Sequence, residues 1–255
     1  MTHRSLAYAI PALTLAVALL LPPVGTPQTA AERGLDIALE RDRRDLGFED
    51  FTAELVMTLR NRHGEESVRT LSSKTLEQQT DGDKSLVVFD SPNDIDGTAL
   101  LTFSHKTGDD DQWLYLPALK RVKRISSSNK SGPFVGSEFA YEDISSQEVE
   151  EYTYKYIRDD ELDGVPVFVI EQYPTDPRSG YTRQVVWVDQ QEYRNLKVEF
   201  YDRKDALLKT LVYKGYQQYL GKYWRPDRME MVNHQTGKST DLDWTDYRFR
   251  TGLND

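Results

Sequence analysis

From residue 51 the chain alternates. Phe51, Ala53, Leu55, Met57 and Leu59 are apolar, while Thr52, Glu54 and Thr58 between them are polar, with Val56 the exception. Successive strand side chains point to opposite faces, so this is a strand with one face in a core. Asn61 to Gly64 reads as a turn, and a weaker strand follows over Val68–Leu76. The same grammar recurs over Leu86–Phe89, Ala99–Phe103, Trp113–Leu116 and Leu119–Ile125. It returns over Tyr152–Ile157, Val165–Tyr173, Arg183–Val188 and Tyr193–Tyr201, and then over Leu207–Tyr216, Tyr223–Val232 and Ser239–Phe249. Asp81-Gly82-Asp83, Asp163-Gly164, Asp189–Glu192, Asp202–Asp205 and Gln235–Lys238 lie between runs and supply turn chemistry.

One segment has a helical period instead. Leu35, Ile37, Leu39 and Leu46 are spaced among Glu32, Arg33, Glu40, Arg41 and Arg43, predicting a helix over Glu32–Arg44. Its apolar stripe is short, so it must lie against something larger. A long antiparallel meander twists until it curls, closes or splits. With one helix available, the expected fold is mainly β: an incomplete, unclosed antiparallel barrel of about 11 strands, capped by helix. No internal repeat or long linker divides it, so residues 32–255 form one domain. The one long irregular connection is Ser126–Gln147, and connections of that length commonly serve as lids or binding loops.

The first 31 residues stand apart. His3 and Arg4 precede an uncharged apolar run, Leu6–Leu21, and small or polar residues follow to Ala31. That is the layout of a secretory signal peptide, with cleavage expected near Ala31 and after Gly25 as the alternative. The run is interrupted by Pro11 and is shorter than the about 20 residues that span a bilayer comfortably. The chain has no cysteine, so neither disulfides nor a lipid-bearing cysteine is available. A periplasmic protein is expected, stabilised by its core. The net charge of −10 argues against nucleic acid as a partner.

Catalytic kits are missing. His63, His105 and His234 are scattered, with no ligand spacing for a metal, and no cofactor motif is present. Gly136-Ser137-Glu138 lacks the flanking glycines of a nucleophile elbow; Ser137 reads as a cap for a short helical turn starting at Glu138 or Phe139. Carboxylates are plentiful at hairpin tips, which is not a facing pair. A non-enzyme is expected.

Two features stand out. Lys120, Arg121, Lys123 and Arg124 crowd one strand of an acidic chain, with Arg121 and Lys123 on one face and Val122 on the other. Such a strand either guards an edge against aggregation or meets an anionic head group or acidic partner; Arg121, Lys123 and Arg124 are the candidates. Phe134, Phe139 and Tyr141 fall in the long connection and are candidate lid residues.

Four blocks carry a family likeness: Asp83–His105, Asp111–Tyr154, Ser179–Arg203 and Arg228–Thr240, of which WLYLPALKRVKRI and GSEFAYED are the specific part. The chain resembles the outer membrane lipoprotein-sorting protein family, a LolA-like group of exported proteins associated with RND-type transporters. The resemblance implies an incomplete barrel with helices over its apolar concave face. It also implies a carrier that takes acyl chains of lipids or lipoproteins between an inner-membrane transporter and the outer membrane, touching membranes only transiently. The inward stripe would hold Leu55, Met57, Leu59, Leu101, Phe103, Val186, Val188, Val198, Phe200, Met229 and Met231, joined by Trp113 and Tyr115. The alternative is a periplasmic adaptor for such a transporter, with a filled barrel and no ligand.

Overall fold

The computed structural model describes residues 28–255, together with Met1. The expected leader lies almost wholly outside the described residues. Helix α1 (Ala30–Asp45) opens on a capping box: Thr29 Oγ1 accepts from Glu32 N at 3.2 Å, and Glu32 Oε2 accepts from Thr29 N at 2.8 Å. Arg43 and Arg44 in the last turn suit the negative end of the helix dipole. Cleavage after Ala31 would cut within the first turn and remove Thr29; cleavage after Gly25 leaves the cap intact. Among the described residues no helix is long and apolar enough to cross a membrane.

Thirteen strands follow. The first group is β1 (Asp50–Arg60), β2 (Glu66–Leu76), β3 (Lys84–Ser91), β4 (Ala99–Phe103), β5 (Asp111–Leu116) and β6 (Arg121–Ile125). The second is β7 (Tyr152–Leu162), β8 (Val165–Pro174), β9 (Tyr181–Asp189), β10 (Asn195–Asp202), β11 (Leu207–Tyr219), β12 (Tyr223–Asn233) and β13 (Ser239–Phe249). The count is thirteen rather than about 11, because every one of the thirteen runs read from the sequence, short ones included, forms its own strand. Leu119 is not part of β6; Pro117 starts a 3-10 turn there instead, as a residue with fixed φ does.

All strands join one sheet in the order β6-β5-β4-β3-β2-β1-β13-β12-β11-β10-β9-β8-β7. Each neighbour is antiparallel, and the two meanders meet where β1 pairs with β13, Leu55 opposite Trp244 and Met57 opposite Leu242. The sheet curls but does not close, leaving β6 and β7 as edges. The core lies on the concave side. Leu55, Met57, Leu71, Phe89, Leu100, Leu114, Val186, Val188, Phe200, Leu211 and Met231 form one buried cluster there with Ile37 and Ala38 of α1. The helix sits so close to β7 that a Cβ on Gly34 would lie 2.8 Å from the backbone nitrogens of Lys155 and Tyr156. Only glycine permits that approach.

Candidate functional site

Between the two edges runs the chain from Ser126 to Glu151. It leaves β6, crosses the open mouth of the barrel and enters β7, so the longest irregular connection also covers the concave face. Its first part, Ser126 to Pro133, stays near the surface. Then Phe134 and Phe139 turn inward, each only 1% exposed, and join the same cluster as the strand residues beneath them, with Val149 behind. The Phe134 ring lies 5.6 Å from Phe89 and meets Tyr141 edge-on at 5.9 Å. The bend that drives Phe134 down puts Val135 at φ 46, a left-handed conformation that a β-branched residue adopts only under constraint. Arg69 Nη1 donates to the Val135 carbonyl at 2.6 Å and fixes the bend.

Polar contacts latch the plug to strands on both sides. Lys209 Nζ, on β11, donates to Asp143 Oδ2 at 2.6 Å and to the Glu138 carbonyl at 2.9 Å. Both side chains of this ion pair are 4% exposed. Tyr181 on β9 donates its hydroxyl to Asp143 Oδ1 at 2.9 Å; burial pushes that phenol well above its ordinary range, so it remains a donor. Asp143 also accepts from Ala140 N at 2.6 Å, capping the single turn α2 (Tyr141–Ile144). Glu142 accepts from Ser179 Oγ at 2.7 Å and Gly180 N at 2.8 Å, and burial raises its pKa. Gln112 on β5 donates to the Tyr141 carbonyl at 3.1 Å, and Asn233 on β12 to Glu138 Oε2 at 2.7 Å. A cleft of about 620 Å³ opens beside this latch, with Phe139, Tyr181, Leu208 and Lys209 in its wall.

A family model described as an uncharacterized protein matches residues 81–255. The solved structure of an outer membrane lipoprotein-sorting protein domain from Vibrio parahaemolyticus is 60% identical, covering 88% of this chain and 95% of that one, with a TM-score of 0.87. The chain belongs to the outer membrane lipoprotein-sorting protein family. A DUF1329 family protein from Desulfovibrio piger is 32% identical over 89% of this chain and 96% of that one, with a TM-score of 0.85. A LolA superfamily protein from Nitrosomonas europaea shares the fold, at 23% identity over 87% and 95% of the two chains and a TM-score of 0.70. No curated protein matches the chain.

On this LolA-like frame the expected inward stripe divides. Leu55, Met57, Val186, Val188, Val198, Phe200 and Met231 lie in the concave cluster, and Leu59 and Met229 pack against it. Leu101, Phe103, Trp113 and Tyr115 do not: they face outward. In β4 and β5 the inward residues are Leu100, Thr102, Gln112 and Leu114, so the parity is shifted by one. Thr102 and Gln112 are polar yet buried, Gln112 donating to Thr102 Oγ1 at 3.4 Å and to the Tyr141 carbonyl at 3.1 Å, so alternation points the wrong way there. Outside, Leu101 and Phe103 border a cleft of about 300 Å³ with Leu76, Leu86 and Leu253 of the C-terminal tail. That tail is held by Asp50, which accepts from Thr251 N at 2.7 Å and Gly252 N at 3.1 Å.

The aromatic trio lies where a lid was expected, folded down as a plug. The short turn begins at Tyr141 rather than at Glu138 or Phe139, because Ser137 Oγ accepts from Phe139 N at 3.2 Å and the cap falls to Asp143. Asp143, Lys209 and Tyr181 escaped the sequence reading. The available signal was Lys209, a charge at an inward position of β11 two residues before Leu211.

Proposed function

We propose that the protein is a periplasmic carrier for acyl chains of lipids or lipoproteins, without catalytic activity, loading them against the concave face when the Phe134–Phe139 plug lifts. The observation that carries this reading is a concave apolar wall covered by a segment that is not part of the sheet. The name of its 60% identical relative points the same way. An apolar chain of about 15 methylenes gains about 12 kcal/mol on leaving water. Lifting two phenylalanines costs about 3–6 kcal/mol, and breaking a buried ion pair about 3–5 kcal/mol more. Plug and cargo are therefore close in energy, which suits a carrier that must both load and release. A transporter of the RND type in the inner membrane is the proposed partner that supplies or receives the cargo.

The second reading is a ligand-free adaptor for such a transporter, and the filled interior favours it. Native mass spectrometry with lipid extraction, on protein purified from its own periplasm, separates the two. A carrier shows a stoichiometric acylated adduct, and Phe139→Ala, which weakens the plug, raises the adduct fraction. If neither protein takes up an acyl chain from added phospholipid or lipopeptide, the carrier reading fails and the adaptor stands.

A further inference from the structure

From Gln112 to Ser137 the chain carries Lys120, Arg121, Lys123, Arg124 and Lys130 and not one Asp or Glu, although the whole chain has a net charge of −10. Four of those cations belong to the β5–β6 hairpin, which ends the sheet. Lys120 to Arg124 are all exposed, so this strand projects from the barrel instead of lying on it. Of the four, only Arg124 pairs with a carboxylate, Asp111, among the described residues. Set among them are apolar side chains that the core does not use: Leu119 is 63% exposed, Val122 64% and Tyr115 39%. Register places Val122 opposite Tyr115 on the outer face, next to Trp113, with Arg121 and Lys123 on the inner side.

We propose that the β5–β6 hairpin is a membrane-docking element, which seats Leu119, Val122 and Tyr115 in the head-group region of an anionic phospholipid bilayer while Lys120, Arg121, Lys123 and Arg124 contact lipid phosphates. Charge complementarity selects this occupant. The cations surround the apolar tip on both faces of the strand, which fits a surface of mobile anions on every side. A protein partner would offer carboxylates at fixed points, matching one face. Long basic side chains hold their charged ends at the interface while the apolar tip goes deeper. The hairpin is continuous with the mouth of the barrel, since Ser126 begins the crossing segment directly after Ile125. Docking therefore brings the plug to the bilayer surface. The inference goes beyond the acyl-carrier reading, because docking and cargo occupy different surfaces.

The test uses vesicle flotation with the mature protein, comparing phosphatidylglycerol-rich vesicles with pure phosphatidylcholine. Each lysine or arginine near an anionic surface is worth about five-fold in partitioning, so Arg121→Gln with Lys123→Gln should weaken binding to the anionic vesicles about 25-fold. Phosphatidylcholine binding should be weak for every variant, and added salt should reduce the anionic binding. Because the chain has no cysteine, Leu119→Cys places one polarity-sensitive fluorophore at the tip, whose emission should shift to the blue on anionic vesicles only. Circular dichroism of each variant confirms that it remains folded. No flotation, equal binding to both lipids, or binding untouched by the charge changes overturns the proposal. The acyl adduct separates this result from the carrier reading: the hairpin variants should keep the adduct, and Phe139→Ala should keep flotation.

Discussion

Strand β7 ends the sheet under α1, with Gly34 against its backbone and the Arg33 guanidinium 3.7 Å from the Tyr156 ring, whereas β6 ends it bare, every residue from Arg121 to Arg124 exposed. Both solve the same difficulty, since an unpaired strand invites pairing with another chain. At β7 the solution is cover by α1 over its first half, which requires close packing, and charge from Arg158 to Glu161 over its exposed second half. At β6 it is charge on a short strand, which requires no packing at all. Stability is thus concentrated on one side of the mouth, and the other side remains free to touch something else.

Removing the latch should have the largest effect. Lys209→Met leaves Asp143 buried without its cation, and urea unfolding should report a loss of about 3–5 kcal/mol. A loss below about 1 kcal/mol would mean that Tyr181 and the Ala140 amide hold Asp143 unaided. Next comes the seat of α1. Gly34→Ala puts a methyl into the β7 backbone and should cost about 1–3 kcal/mol in the same assay, with faster amide exchange in β7. An unchanged exchange pattern would show that the helix does not protect this edge.

The pH dependence should be smaller. Burial pushes Glu151 up to about 8, helped by Asp110, and Glu148 up to about 7, helped by Asp83, itself pushed up to about 6 by burial. Lys106 and Lys130 face these groups and partly offset the rise. The folded state therefore holds protons that the unfolded chain releases near 4.5. Their contribution is complete below that pH and is lost as the pH rises through 7 to 8. Melting temperature should fall by a few °C from pH 5 to pH 8, roughly the effect of 1 kcal/mol in a chain of this size. Glu148→Gln with Glu151→Gln should flatten the dependence; a slope that survives places the titration elsewhere. Smallest of all, Arg121→Gln with Lys123→Gln at the bare edge should leave unfolding within about 0.5 kcal/mol of the parent. A larger change would mean that β6 is structural after all.

The two edges were not equally legible in the sequence. Alternation or a short apolar run marks most strands, and the basic run at Lys120–Arg124 announces an exposed edge. Leu55, Met57, Val198 and Phe200 show their direction through the polar Glu54, Thr58, Lys197 and Glu199 beside them, whereas Val186 and Val188 lie in a run with Val185 and Trp187 and owe their place to the family likeness. In Ala99–Phe103 and Asp111–Leu116 the polar Thr102 and Gln112 face the interior, so alternation points Leu101 and Trp113 to the wrong face; only the ladder with β3 and the returning tail decide it. The latch was invisible for another reason. Asp143, Tyr181 and Lys209 come from three distant parts of the chain, and nothing in the local pattern of each says that they meet.

The first and last strands pair in the middle of the sheet, with β13 the seventh of thirteen, as far as possible from both edges. Widening the mouth is then a flexing of the β1–β13 spine, as a book opens about its binding, with the crossing segment as a strap between the covers. Pulled straight, the chain from Ser126 to Glu151 reaches roughly 85 Å, far more than such a mouth needs. The strap is always slack. What holds the book shut is therefore the buried rings of Phe134 and Phe139 and the polar latch around Asp143 and Glu142, a clasp that a ligand or a partner can compete with directly.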